Sequence, residues 1–452
     1  MRVFQEVNRS DLPQRVKPID STWALKKKSN GVRRGRLTAR GFKQIDGVDY
    51  DSASIHAPVT NAISVRLVLT LMLMGDWTAE VVDVKGAFLH GQFTDGERVY
   101  MEVPKGWREH YNSNSVLLLL RTIYGLKQAA MAFWKELLKA MKEIGMERSK
   151  ADPCMYFSWT QWGLVIIISW IDDNMIVGSK EAVKNVKKMF MEQFECDDVG
   201  PLNEYVGNAL EYTADGGLKF TQPVPTQSYI DEFEINTDNV WKTPAEAGSV
   251  LTKGGTPLNS KDQTYIRKGI GKLLYQMQWS RACISQSTRD LTKHMDKGTV
   301  EVRSAMRRVM EYVVCTPNRG VTLKPNCKWD GSKDFKFTIT GRSDTDYAKD
   351  PDTRRSVTGV RTSVCGSVTH WRSSTQRSIT ISVTEAEQAG AVTCAQDMIY
   401  QKHILESIGL QVALPMILEC DNKGAVDLAN NWTAGGRTRH VNVRQNWLRE
   451  LK

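Results

Sequence analysis

One short segment constrains this chain more than any other. Leu164-Val165-Ile166-Ile167-Ile168 is an apolar run, Met175-Ile176-Val177 is a second, and Trp170-Ile171-Asp172-Asp173-Asn174 lies between them. Apolar runs flanking turn residues read as strands, and Asp-Asp-Asn is turn chemistry. Residues 163–178 are therefore expected to form a tight β-hairpin with two acids at its tip. An acid at the end of a buried strand is costly to desolvate unless it is paired, hydrogen-bonded or bound to metal.

An earlier segment offers a partner. Thr60-Asn61 is a helix N-cap signal and Gly75 a stop, and Ile63, Val65, Leu67, Val68, Leu69, Leu71 and Leu73 between them leave almost no polar face. Residues 77–84 then read as a core strand with Asp83 near its end. If that strand neighbours the hairpin, Asp83, Asp172 and Asp173 converge. Hard oxygen ligands suit Mg²⁺, and two such ions about 4 Å apart clamp the attacking and leaving oxygens of phosphoryl transfer. Ordinary turn aspartates are the alternative, and spacing alone does not name a reaction.

The C-terminal part repeats this logic. Phe335, Phe337 and Ile339 alternate with polar residues in a strand running into Asp344. A polar turn at 349–356 and a β-rich stretch to Trp371 follow. Thr384 can cap a helix that reaches about Ile408, with Glu385 at its start and Gly409 closing it. A strand at 415–420 runs into Asp421. The order β-β-β-α-β-α predicts a mixed sheet with helices. Asp344, Glu385 and Asp421 on separate elements make a second candidate Mg²⁺ cluster. A helix-dipole role for Glu385 and an N-cap role for Asp421 are the alternatives. Between the two parts, residues 127–144 and 180–194 have helical period. Residues 215–334 form a connecting region with helices expected around 263–281 and 298–315.

The 452 residues suggest two to four domains, and the net charge of +10 allows a polyanionic partner without proving one. Lys26, Lys27, Lys28, Arg33, Arg34, Arg36, Arg40 and Lys43 crowd around Ser29-Asn30-Gly31, as two basic arms of a hairpin. No stretch of eighteen apolar residues is present, so a transmembrane helix is not expected, and the first residues lack the apolar core of a signal peptide. The eight cysteines are scattered with no CxxC pair, which reads as free thiols in a reducing compartment.

Nine strings carry a family resemblance. They are RLTARGFKQIDGVDYD (36–51), DVKGAFLHG (83–91), YGLKQA (124–129), DPCMYF (152–157), WIDDNMIVG (170–178), GRSDTDYAKDPDTRRSVTG (341–359), SVTEAE (382–387), ECDNKGAVDLA (419–429) and GRTRHVNVR (436–444). In order and spacing the chain resembles the reverse transcriptase–RNase H part of a copia-type LTR retrotransposon Pol polyprotein. The resemblance implies a multidomain α+β chain: a right-hand polymerase with fingers, palm and thumb, followed by an RNase H-like α/β domain. Fingers and palm would span 1–214, thumb or connection 215–334, and RNase H 335–452. Asp83, Asp172 and Asp173 match the palm acids, with Asp173 supporting the hairpin or a metal transiently. Asp344, Glu385 and Asp421 would bind the RNase H metals. Phe88 falls where an aromatic under the sugar excludes a ribose 2′-hydroxyl. Tyr124, Gly125 and Lys127 lie in a motif shaping the nucleotide pocket, and Arg36 and Arg40 would grip triphosphate. Tyr205-Val206-Gly207 matches a primer-grip strand. Arg354, Arg355, Arg437 and Arg439 are candidates for a phosphate track. Implied cofactors are Mg²⁺, with Mn²⁺ as a substitute. Implied partners are RNA template, DNA primer, RNA–DNA hybrid and dNTPs, other Pol polyprotein products or a second copy, and no membrane. The implied location is cytoplasmic, in a virus-like particle where the element is intact, with the nucleus as a second site.

The chain also departs from its family. Asn442 stands where relatives usually carry an acid, which predicts a weakened RNase H, with Asp346 a conceivable substitute. Trp170 replaces a common Tyr, Ala130 a common Pro, and Ala282-Cys283 a frequent Pro-acid pair. No protease or integrase pattern is present, which reads as a fragment, a processed product or a frame from a broken element. The competing expectation is a catalytically silent nucleic-acid-binding remnant of a decayed or domesticated element.

Overall fold

The computed structural model describes residues 1–14, 16–27, 31–94, 96–430 and 447–451. A strand at Phe4–Asn8 (β1) precedes a two-stranded hairpin, Ser21–Lys27 (β2) and Arg33–Ala39 (β3), in which Ala24 lies opposite Arg36 and Lys26 opposite Arg34. This is the expected basic hairpin; its tip, Lys28 to Asn30, lies outside the described residues. Ala62–Met74 (α1) follows, with the Asn61 side chain capping the Ile63 N–H and Gly75 closing the helix. Next come Thr78–Val84 (β4), a single turn at Ala87–His90 (α2), Tyr100–Glu102 (β5) and Ser115–Leu119 (β6). Strands β1, β6 and β5 form one small sheet in that order.

The central sheet explains the apolar run. Ala129–Glu143 (α3) leads to Glu147–Arg148 (β7), Met155–Thr160 (β8), Gly163–Trp170 (β9) and Asp173–Gly178 (β10). Lys180–Gln193 (α4) and Cys196–Pro201 (β11) follow, giving a six-stranded sheet ordered β11-β4-β10-β9-β8-β7. Val82, Val165, Ile167 and Ile176 pack on Phe133 and Leu137 of α3 and Phe190 of α4. Val81, Ile166, Ile168 and Met175 lie in the cluster of Leu67 and Leu71 on the other face. Both faces are covered, so β9 needs no polar alternation.

Glu204–Tyr205 (β12) pairs with Asn208–Tyr212 (β13), which pairs in turn with Leu218–Thr221 (β14). The domain boundary expected at 214/215 therefore falls inside the turn between two paired strands. A helical module follows: Pro223–Phe233 (α5), Ser260–Trp279 (α6), a 3-10 turn at Ala282–Ile284, Ser285–Thr292 (α7) and Val300–Cys315 (α8). Its own core includes Tyr229, Ile266, Leu273, Met306 and Val309. Thr322–Leu323 (β15) then returns to pair with β14.

The C-terminal module has Lys336–Phe337 (β16), Ile339–Asp346 (β17), Val357–Val364 (β18), Ser367–Thr375 (β19), Val383–Ser407 (α9), Gln411–Val412 (β20), Ile417–Cys420 (β21) and Lys423–Asn430 (α10). The order β19-β18-β17-β21, antiparallel except for the parallel β17–β21 pair, is the mixed sheet expected. Two details differ from expectation. Strand β17 runs two residues past Asp344, and Ser382 rather than Thr384 caps α9 by accepting the Glu385 N–H. Buried Met398, Ile404, Leu405 and Ile408 join the same cluster as α1. Helix α1 is thus covered by the central sheet on one side and the C-terminal module on the other. That double burial is why its sequence lacks a polar stripe. Across this contact Trp159 Nε1 donates to the Ile408 carbonyl at 2.9 Å, and Thr70 donates to Ser367 Oγ at 3.1 Å. Among the described residues no helix is long and apolar enough to cross a membrane.

Candidate active site

Asp83 and Asp173 lie directly opposite each other on β4 and β10, so their side chains share one face of the central sheet. Trp170 pairs with Asp173, leaving Ile171 and Asp172 as a two-residue turn. Ile171 takes φ +57°, a left-handed conformation that a β-branched residue rarely adopts. The Asp172 carbonyl accepts from the Val84 N–H at 2.9 Å and from Asn174 Nδ2 at 2.9 Å, which ties the turn to β4. Burial holds the Asp173 carboxyl up to about 6, and Asp172, Asp83 and Glu204 add repulsion. All three expected acids are therefore together. Glu204 joins them from β12.

The basic hairpin reaches the same place. The Arg36 guanidinium lies 3.8 Å over the Tyr124 ring, and Phe88 meets that ring edge-on at 4.9 Å. Burial raises the Tyr124 hydroxyl; Arg36 and Arg34 oppose this, while Asp172 and Asp83 reinforce it, so cations and acids act on one phenol. Gly125 permits the docking. Its φ is +91°, and a Cβ there would sit 2.1 Å from the Ala39 carbonyl oxygen. One residue earlier the Ala39 N–H donates to the Tyr124 carbonyl at 2.7 Å. Lys127 and Arg40 are committed elsewhere. Lys127 Nζ donates to the Tyr50 hydroxyl at 2.7 Å, and Arg40 lies 3.9 Å from Asp20, which Lys43 also holds. The Val206-Gly207 turn between β12 and β13 is clamped by Tyr275 of α6, whose hydroxyl donates to the Val206 carbonyl at 2.5 Å.

A second acidic cluster forms in the C-terminal module. Ser343 pairs with Cys420 in the parallel β17–β21 register, so Asp344 and Asp421 follow side by side. Gly341 and Gly390 let α9 approach β17: a Cβ on Gly341 would lie 2.5 Å from Cys394 Sγ, and one on Gly390 2.6 Å from Thr345 Oγ1. That approach buries Glu387, whose carboxylate accepts from the Thr345 N–H at 3.2 Å and from Cys420 Sγ at 3.8 Å. Burial, Asp421 and Asp344 push Glu387 up to about 7. Donor atoms of Glu387, Cys420 and Asp421 lie within 4.8 Å of one another, a candidate metal group.

Glu385 is not in this cluster. Its carboxylate turns back to accept the Ile381 N–H at 2.8 Å, a capping interaction at the start of α9. Asn422, not Asp421, caps α10, by accepting the Ala425 N–H at 2.9 Å. Arg354 and Arg355 are exposed in the turn between β17 and β18. Arg437, Arg439 and Asn442 lie outside the described residues.

Residues 4–247, more than half of the chain, match the family model described as reverse transcriptase (RNA-dependent DNA polymerase). The chain belongs to the reverse transcriptase family. It is 29% identical over 454 residues to the retrovirus-related Pol polyprotein from transposon TNT 1-94 of Nicotiana tabacum, covering 98% of this chain and 33% of that protein. It is 28% identical to the Pol polyprotein from transposon RE1 of Arabidopsis thaliana, covering 97% of this chain and 29% of that one. The chain thus spans about a third of the length of each of these two relatives. The foamy viral protease–reverse transcriptase solved with RNA/DNA hybrid superposes loosely, with a TM-score of 0.47 and 13% identity over 96% of this chain and 49% of that one.

In this reverse transcriptase-family chain the acids of the two clusters that sequence reasoning did not single out are Glu204 and Glu387. A signal was present for Glu387. Ser382-x-x-Glu385 is a capping box, which assigns Glu385 to the helix end and leaves Glu387 as the next acid.

Proposed function

We propose that the chain is the RNA-directed DNA polymerase and ribonuclease H region of a copia-type retrotransposon Pol polyprotein. In this reading β1–β3, β5 and β6 are the fingers, the central sheet with α1–α4 the palm, α5–α8 the thumb, and β16–α10 the RNase H domain. One observation carries it: Asp83, Asp172 and Asp173 converge at the end of the central sheet, and Tyr124, under Arg36, feels both the cations and the acids.

The donor chemistry fits Mg²⁺. Four carboxylates lie close together, and Asp173 is held up to about 6 by its burial and by repulsion from the other three. An all-oxygen set under that repulsion suits a hard divalent cation, with Asp83 and Asp172 as the holding residues and Asp173 as support. When bound, such ions stabilise the charge on the transferring phosphoryl group and favour the deprotonated primer 3′-hydroxyl. The chain's own residues do the rest. Arg36 holds the triphosphate, Tyr124 orients that guanidinium, and Phe88 packs beneath the sugar where a 2′-hydroxyl would collide. Preorganised charges of this kind cost no reorganisation during the reaction. In the RNase H domain Asp344, Glu387 and Asp421 form the corresponding set, and Glu387 near 7 accepts or returns a proton readily at neutral pH.

The test is primer extension on an RNA template with Mg²⁺, and separately Mn²⁺. Wild-type chain extends the DNA, and Asp172→Asn binds the same hybrid but does not extend it. Absence of synthesis by folded, hybrid-binding wild type would replace this reading with the silent remnant.

A further inference from the structure

Among the described residues no carboxylate pairs with the Arg66 guanidinium. Arg66 sits on α1, 2% exposed, where the central sheet, α6 and the C-terminal module meet. Its Nε donates to the Thr369 carbonyl at 2.6 Å and its Nη1 to the Gln278 carbonyl at 2.9 Å, while the guanidinium lies 4.3 Å over the Trp371 ring. Carbonyl oxygens and a ring face solvate a cation but do not neutralise it. Burial lowers Arg66 to about 9, and no carboxylate of the described residues offsets it. Asp397, the acid beside His370, is ion-paired with Arg372 at 2.9 Å and lies 3.3 Å from His370. The α1 N-terminus is also served, since Asp152 accepts the Asn61 N–H at 3.2 Å and the Ser64 hydroxyl at 2.5 Å.

Arg66 is not sealed in. It lines a cleft of about 350 Å³ that also takes in Gln278, His370, Trp371, Arg372 and Ser373. A buried unpaired charge is costly, so a protein that keeps one beside an open cleft is built for a counter-ion. The cleft shares Ser285, Trp371 and Arg372 with the larger opening that holds Asp344 and Asp421. Neither acidic cluster includes Arg66.

We propose that this junction cleft is an anion site that takes one phosphate group against Arg66. The phosphate belongs to a nucleic-acid strand that also lies in the adjoining acidic opening, so this rests on the nucleic-acid reading above. Occupation neutralises Arg66 at the meeting point of three modules and thereby couples the strand's position to their packing.

Two arms test it with the full chain. In the first, inorganic tripolyphosphate is added at constant ionic strength while thermal unfolding is followed. Wild type is stabilised, and Arg66→Met is not. Should Arg66→Met fail to fold, Ser373→Glu serves instead, because it places a carboxylate in the cleft; it unfolds at higher temperature than wild type without tripolyphosphate and gains nothing from it. In the second arm, single phosphates of an RNA–DNA hybrid are replaced by neutral methylphosphonates. One position weakens wild-type binding but not that of either variant, and the variants' salt slope is shallower by about 0.9. Stabilisation by tripolyphosphate without any hybrid binding would keep the site, assign it to free phosphate and sink the nucleic-acid reading. Identical responses of wild type and variants in both arms would overturn the site.

Discussion

Asp83 and Asp173 face each other across the β4–β10 pair. Like charges placed directly opposite destabilise a sheet. The surrounding structure holds them there all the same, with the Asp172 carbonyl accepting the Val84 N–H to lock the turn against β4. Stability has been traded for a concentration of negative charge.

That trade has a pH signature. Asp173 is held up to about 6 from an ordinary 3.8, so the folded state binds its proton more tightly than the unfolded state. Stability from this group is complete below about pH 4 and falls as pH rises toward 6. Asp173→Asn should therefore gain stability over wild type at pH 7.5 and not at pH 4, by urea unfolding without divalent ions. Equal gains at both pH values would contradict the assignment.

Glu387 and Glu385 should separate cleanly. Glu387→Gln removes a buried carboxylate of the acidic cluster and should abolish cleavage of the RNA strand. Glu385→Gln touches only the helix start and should cost at most about 1 kcal/mol, with cleavage retained. Labelled-hybrid cleavage and urea midpoints for the two variants decide it.

Arg36 and Arg40 likewise sit in different surroundings. Arg36 lies over Tyr124, whereas Arg40 lies near Asp20 on the surface. Arg36→Ala should raise the KM for dNTP about tenfold or more, the loss of a charge-assisted contact worth at least about 1.4 kcal/mol. Arg40→Ala should leave KM within about twofold, since exposed ion pairs contribute little. Steady-state kinetics on both would expose a reversed assignment.

Two backbone positions give predictions of opposite sign. Gly125→Ala forces a Cβ to 2.1 Å from a carbonyl oxygen at φ +91°, and should cost about 3 kcal/mol in chemical denaturation. Ile171→Asn relieves a β-branched residue at φ +57°, since Asn tolerates that region, and should add about 1 kcal/mol. Destabilisation by Ile171→Asn would show that the side chain, 40% exposed, contributes more packing than its turn costs.

Local signals were legible where chemistry and periodicity agreed. Asn61 and Gly75 bracket α1 as their capping chemistry predicts, and the expected hairpin forms, although its turn is Ile171-Asp172, with Asp173 and Asn174 already paired in β10. Less was legible where a residue's role depends on distant partners. Glu385 and Glu387 are two positions apart; only the close approach of α9 to β17, through Gly341 and Gly390, buries the second beside Asp421. Glu204 gave no sign, being a single acid in a polar stretch until β12 brings it to Asp173. Arg36 and Arg40 are equally basic in sequence, and only the docking of β3 on Tyr124 distinguishes them. The sequence of α1 announced burial without saying that two modules, rather than one, would provide it.

The most direct measurement is single-turnover incorporation of one dNTP onto an RNA-templated DNA primer by wild type, Asp83→Asn, Asp172→Asn and the double variant. Acids that work as one unit give non-additive losses. Each single substitution should slow incorporation at least about 10³-fold, and the double should be little slower than the worse single. A near-wild-type rate in Asp83→Asn, or losses that simply multiply, would contradict the convergence of these acids on one reacting phosphate.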